Sequence, residues 1–232
     1  CPSPRNLVSG CVCEGEVCSS RCTRFGVRIA PALTSGEAEV SDDGLVARIT
    51  RQTCKFKWTW KASIPFEPAS NGVWYGEVDV LGWDFDRYIL IGIAASDSPA
   101  PLTGSFVGTL KTSDGIDSAA VHLYNSELCH TNGTWKEIPG LSWYSASTAP
   151  WNTPPSGVKA RVGWAVDYRD GAPPGAMSLF INRQLVGKHL YNIGRDERAW
   201  LCCSLFTRPD YSARVSGVFG PGSVPDEVMS QL

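Results

Sequence analysis

The chain has 232 residues and a formal net charge of -2, from 21 Lys and Arg against 23 Asp and Glu. That balance leaves no electrostatic footprint for nucleic acid or an anionic membrane, so neither is expected as a partner. No apolar run approaches the roughly 20 residues that span a bilayer. With 23 Gly, 16 Pro and 9 Trp against only 2 Met, the composition is that of many short strands joined by turns. A chain of this length can bury a sizeable core as one β domain. It starts at Cys1 rather than Met, as a processed or excised chain would.

The first segment, residues 1–24, holds five of the nine cysteines. Cys11, Cys13, Cys18 and Cys22 are enough ligands for a tetrahedral zinc, although C-x-C-x4-C-x3-C lacks the paired C-x2-C knuckles of most zinc sites. Disulfides would be expected if the protein is exported, but an odd total leaves one thiol over. A linker with reduced thiols is the third reading, and the spacing does not choose among the three.

From Phe25 the pattern turns strand-like. Phe25, Val27 and Ile29 alternate, and Ser41-Asp42-Asp43-Gly44 makes a turn before Leu45–Ile49. In Cys54–Trp60, Phe56, Trp58 and Trp60 share one face, and Lys55 and Lys57 share the other. Three aromatics on one strand face indicate core, rather than a base-stacking surface. Asn71-Gly72 is a turn ahead of the strand Val73–Leu81, and Tyr88–Ala95 is an apolar strand packed on both sides around Gly92. Between them Gly82–Arg87 forms a polar-aromatic loop. Glu77 and Asp79 are expected on an outward-facing polar strand edge.

Ser118–Tyr124 is a short strand in which His122 is expected to pack rather than to bind a ligand. Cys129–Gly140 reads as a hairpin region with Asn132-Gly133 at its turn. Asn132-Gly133-Thr134 is also a glycosylation sequon, relevant only on the secretory route. Leu141–Gly157 is the longest irregular stretch, and its tryptophans Trp143 and Trp151 argue against disorder.

Next comes a hairpin: Val162, Trp164 and Val166 alternate, Asp167–Gly175 supplies turn chemistry, and Met177, Leu179 and Ile181 face opposite to Phe180. Asn182-Arg183-Gln184 is its polar tip. Trp200–Phe206 and Val215–Gly220 are the last strands, with Cys202 and Cys203 on opposite faces of one of them. Pro221–Leu232 reads as a tail with one helical turn at Asp226–Met229.

The segment VGWAVDYRDG followed by MSLFINRQLVG resembles the signature of the SPRY (butyrophilin-type) domain, with Asp167, Phe180, Asn182 and Gly187 at the family positions. Arg183 stands where the family usually has Gly. Tyr75, Glu77 and Val78 resemble the family's "YWEVeV" strand, with Gly76 in place of an aromatic, leaving room for a neighbour such as Trp83. Trp200–Phe206 and Val215–Gly220 resemble its closing strands. The resemblance covers about Asn71 to Gly220 strongly and Phe25–Ser63 loosely. It implies an all-β fold: a bent antiparallel sandwich, concanavalin-like, over residues 25–220, between the cysteine-rich segment 1–24 and the tail 221–232. In the family's larger proteins zinc modules often precede this domain, so a structural zinc stays open.

No nucleophile elbow, zinc-protease motif, P-loop or dinucleotide fingerprint occurs, and three histidines limit imidazole chemistry. No enzyme is expected. The resemblance implies a non-catalytic module that binds a protein or peptide through loops at one end of the sandwich, as an adaptor or substrate-recognition domain. Candidate anchors, chosen as anchor-type residues in predicted loops, are Trp83, Asp84, Arg87, Trp151, Asn152, Tyr168, Arg169, Asp170, Arg208 and Asp210. An intracellular location fits this reading. The alternatives are an exported carbohydrate-binding lectin-like domain, or a structural subunit of a large assembly.

Overall fold

Side chains that alternate between two faces need a cover on each apolar side, and here two sheets cover one another. The structure is a computed structural model describing residues 27–29, 38–50, 57–82, 89–95, 107, 117–123, 127–130, 135–138, 155–194, 196–206 and 211–232. The strands are β1 (Ala38–Val40), β2 (Val46–Ile49), β3 (Lys57–Lys61), β4 (Val73–Gly82), β5 (Ile89–Ala95), β6 (Asp117–His122) and β7 (Glu127–His130). They continue with β8 (Trp135–Glu137), β9 (Ala160–Asp167), β10 (Ala176–Ile181), β11 (Gln184–Asn192), β12 (Ala199–Phe206) and β13 (Ser212–Phe219). A 3-10 turn at Pro68–Ser70 precedes β4, and the single helical turn α1 (Asp226–Met229) follows β13.

One sheet has the order β1-β2-β13-β4-β9-β10-β11 and the other β3-β12-β5-β6-β7-β8, with antiparallel pairing throughout. Trp74, Val78 and Val80 of β4, Val162, Trp164 and Val166 of β9, and Met177, Leu179 and Ile181 of β10 form one wall of the core. Ile89, Ile91 and Ile93 of β5 and Leu201, Cys203 and Leu205 of β12 form the opposite wall. Trp164 is fully buried, and its indole N–H donates to the Ile91 carbonyl at 2.9 Å, tying the two sheets together. Of the aromatics expected inward on β3, Trp60 is fully buried.

Cys202 and Cys203 do point to opposite faces, and both are buried free thiols. Burial pushes the Cys202 thiol up to about 12 and Cys203 higher still, so both behave as apolar packing groups. His122 is also buried, and desolvation lowers its imidazole to about 4. The space left by Gly76 is taken by Phe66 and Leu201, whose atoms lie 2.9 and 3.0 Å from where a Cβ would stand.

The second face of the seven-stranded sheet departs from expectation. Glu77 and Asp79 do not face solvent; both are fully buried on β4. Next to them Val73, Tyr75, Ala165, Phe180 and Phe219 form a second apolar cluster, covered by Val224 and Val228 from beyond β13. Residues 221–232 therefore lie against the sheet, with α1 at the expected Asp226–Met229. Gly163 makes this packing feasible: a Cβ there would stand 2.0 Å from the Tyr75 hydroxyl oxygen.

Candidate interaction surface

At the end of the sandwich where β4 begins and β9 ends, three connections are braced against one another. The chain leaves the 3-10 turn through Asn71 at φ 46, a left-handed conformation that Asn tolerates. Its side chain clasps the β9–β10 connection: Oδ1 accepts the Asp170 backbone N–H at 3.0 Å, and Nδ2 donates to the Asp170 carboxylate at 3.0 Å. Trp74 fixes the 3-10 turn itself by donating to Ser70 Oγ at 2.7 Å and to the Glu67 carbonyl at 3.0 Å. Phe66 stacks beneath it with centroids 5.9 Å apart.

Tyr168 is the keystone of this end. It is 3% exposed, its backbone N–H donates to the Gly72 carbonyl at 3.0 Å, and its hydroxyl donates to the Glu197 carbonyl at 2.9 Å. Burial, reinforced by Glu197 and Glu67, raises the hydroxyl well above the ordinary tyrosine value, so it stays a neutral donor. Asp167 is nearly buried; burial would raise its carboxyl, but the Arg169 guanidinium at 2.6 Å holds it below the usual range. Beside these groups lies a cleft of about 430 Å³ lined by Pro68, Ala69, Asn71, Tyr168, Asp170 and Asp196.

Of the ten sequence candidates, three lie within the described residues. Tyr168, Arg169 and Asp170 share the braced end just described, and of these Arg169 and Asp170 are exposed. The expectation that Tyr168 is an exposed anchor is corrected: the returning chain at Glu197 buries it, and it supports the loop instead. Trp83, Asp84, Arg87, Trp151, Asn152, Arg208 and Asp210 lie outside the described residues, as do Cys11, Cys13, Cys18 and Cys22. The strand ends leading to those loop candidates converge on the opposite end, where Gly82 pairs with Ser212, Val80 with Ala160 and Ile89 with Leu205.

An ion-pair network on the buried outer face of the sheet was not anticipated. Arg161 binds Asp79 through Nε at 2.6 Å and Nη2 at 3.1 Å, and Arg214 reaches the same carboxylate at 2.6 Å. Arg183 grips both oxygens of Glu77 at 2.9 Å and extends Nη1 to Glu227 at 2.5 Å. Desolvation would raise the Asp79 carboxyl, yet hydrogen bonds from Arg161 and Arg214 hold it below the usual value. Arg183 and Asn182 occupy the β10–β11 turn at φ 65 and 49, as a primed hairpin turn requires. Arg183 holds this left-handed conformation with its guanidinium anchored on both Glu77 and Glu227. The pairing is cross-strand: Asp79 lies opposite Arg161 on β9 and Arg214 on β13.

No protein-family model matches the chain, and no curated protein does. Among solved structures, the TRIM65 PSpry domain superposes with a TM-score of 0.53 at 12% identity, covering 88% of this chain and 98% of that one. The SPRY domain of human HERC1 matches at a TM-score of 0.48 and 11% identity, over 80% of this chain and 97% of that one. The NEUZ (NHR) domain of Neuralized from Drosophila melanogaster matches at 0.46 and 15%, over 88% and 96%. The TRIM65 superposition together with the sheet order makes the fold plain: the chain is a SPRY-type β-sandwich.

Proposed function

We propose that the chain is a non-catalytic interaction module that holds a partner protein or peptide on loops carried by the sandwich, in an adaptor or substrate-recognition role. The observation that carries this reading is the bracing of the β4–β9 end. There buried side chains (Tyr168, Trp74, Phe66) fix the backbone of three connections, and Arg169, Asp170, Asp196 and Arg198 stand exposed on that fixed frame. A preorganised irregular surface presenting arginine and carboxylate groups suits recognition, because little ordering entropy is lost on binding. The remaining candidates, Trp83, Asp84 and Arg87 among them, lie outside the described residues and are tested alongside this end.

The experiment is a pull-down with the full chain as bait, alongside two variants. One carries Trp83→Ala, Asp84→Ala and Arg87→Ala, the other Arg169→Ala and Asp170→Ala. A protein retained by the parent chain and lost by one variant supports the proposal and assigns the end. Equal retention by all three, or retention of glycan alone, overturns it.

A further inference from the structure

The outer face of the seven-stranded sheet already holds a short segment in a manner that resembles a docked ligand. Residues 221–232 leave β13 through Gly220-Pro221-Gly222, where Gly222 sits at φ 80 and Ser223 N–H donates back to the Gly220 carbonyl at 3.0 Å. Beyond this bend Val224, Val228 and Leu232 pack on Val73, Tyr75, Phe180 and Phe219. The Tyr75 ring meets Phe180 edge-on at 5.6 Å and Phe219 nearly parallel at 6.0 Å, forming the aromatic floor.

The bonds that seat the segment run through side chains. Glu227 pairs with Arg183, Gln231 accepts the Leu185 N–H at 2.8 Å and donates to the Arg183 carbonyl at 3.0 Å, and Lys188 reaches the Leu232 carbonyl at 2.6 Å. Among the described residues the segment's backbone bonds are all local, with none in the sheet ladder. The sheet itself separates this apolar cluster from the main core. Arg183 holds Glu77 through Nε and Nη2, atoms separate from the Nη1 that meets Glu227.

We propose that this face is a second docking surface, independent of the loop ends. It takes a short peptide with apolar side chains at the first, fifth and ninth positions and a carboxylate just before the fifth, and the chain's own residues 224–232 occupy it in cis. This is the helix-in-groove mode of peptide recognition reduced to one turn. Arg183 selects the acid, and the Tyr75–Phe180–Phe219 floor selects the apolar positions.

The test uses the full chain and a fluorescein-labelled synthetic peptide of residues 221–232. The cis segment competes at a high effective concentration in the parent chain, so the peptide should bind it poorly. A Val228→Asp chain, its own anchor spoiled, should bind the peptide at least about tenfold more tightly, and a peptide carrying Glu227→Lys should bind that chain several-fold more weakly. Equal binding by parent and variant, no binding by a variant that still melts cooperatively, or failure of the variant to fold each overturns the proposal. Hydrogen exchange on the parent chain is the second measurement. Amides of 226–232 should exchange at least about tenfold faster than those of β4 and β10, and equal protection overturns the proposal.

Discussion

The two faces of the β4–β9–β10 ribbon are equally dry but reach dryness by opposite means. Inward, Val78, Trp164 and Leu179 pack as hydrocarbon against the second sheet. Outward and on the same strands, Glu77 and Asp79 are just as inaccessible, yet three arginines neutralise them. The inner face is intolerant of lost volume. On the outer face, beside its own aromatic cluster, each buried charge depends on its partner. A buried ion pair is a weak source of net stability, although breaking one is costly because the surviving charge stays desolvated. Fold strength therefore resides in the inner face, and positional specificity of the strands in the outer one.

The largest effect should come from volume lost inside. Trp164→Ala removes the side chain that spans both sheets and leaves the Ile91 carbonyl without its donor. A loss of about 3–5 kcal/mol in denaturant unfolding is expected. A melting temperature unchanged by that substitution would break the comparison at its root. Glu77→Gln keeps the shape of the outer face while removing its charge, so Arg183 and Arg161 lose a partner. A loss of about 3 kcal/mol is expected. If the loss is near zero, the outer arginines are solvated and the two faces do not differ in kind.

The third effect is a dependence on pH. Burial holds the His122 imidazole at about 4 in the folded chain, against 6.5 for an ordinary histidine. Between those values the unfolded chain takes up a proton that the folded chain refuses, so stability falls as pH is lowered from 6.5 towards 4. At about 1.4 kcal/mol per unit, the loss reaches about 3 kcal/mol. Below that range the carboxylates of Asp79 and Asp167, held under their usual values, add a further acid-driven loss. His122→Asn should flatten the curve between pH 4 and 6.5 and leave the more acidic limb in place. Urea midpoints measured across the range would show a curve unchanged by the substitution if this assignment is wrong.

The same contrast explains what was legible in the sequence. A period of two is a local property, so Val162, Trp164 and Val166, or Met177, Leu179 and Ile181, announce their inner face without knowledge of what covers them. The opposed faces of Cys202 and Cys203 follow from the same rule. The burial of Glu77 and Asp79 is not local. Their partners stand 82, 106 and 135 residues away in the chain, and only strand order brings them together. Tyr168 was misplaced for the same reason, since its burial depends on Glu197, 29 residues on.

The smallest stability effect is expected at the braced end, and it separates support from recognition. Arg169 is exposed over nearly half of its side chain, 43%, and its pair with Asp167 is a rim contact. Such pairs contribute about 0–1 kcal/mol, so Arg169→Ala should barely move the unfolding midpoint. Tyr168→Phe removes only the hydroxyl that holds the Glu197 carbonyl and should cost about 1 kcal/mol. If this end binds a partner, Arg169→Ala should reduce partner retention more than Tyr168→Phe does, despite costing less stability. An inverse ranking, with retention tracking stability, would mean that the braced loops only close the end of the sandwich and that recognition belongs to the opposite one.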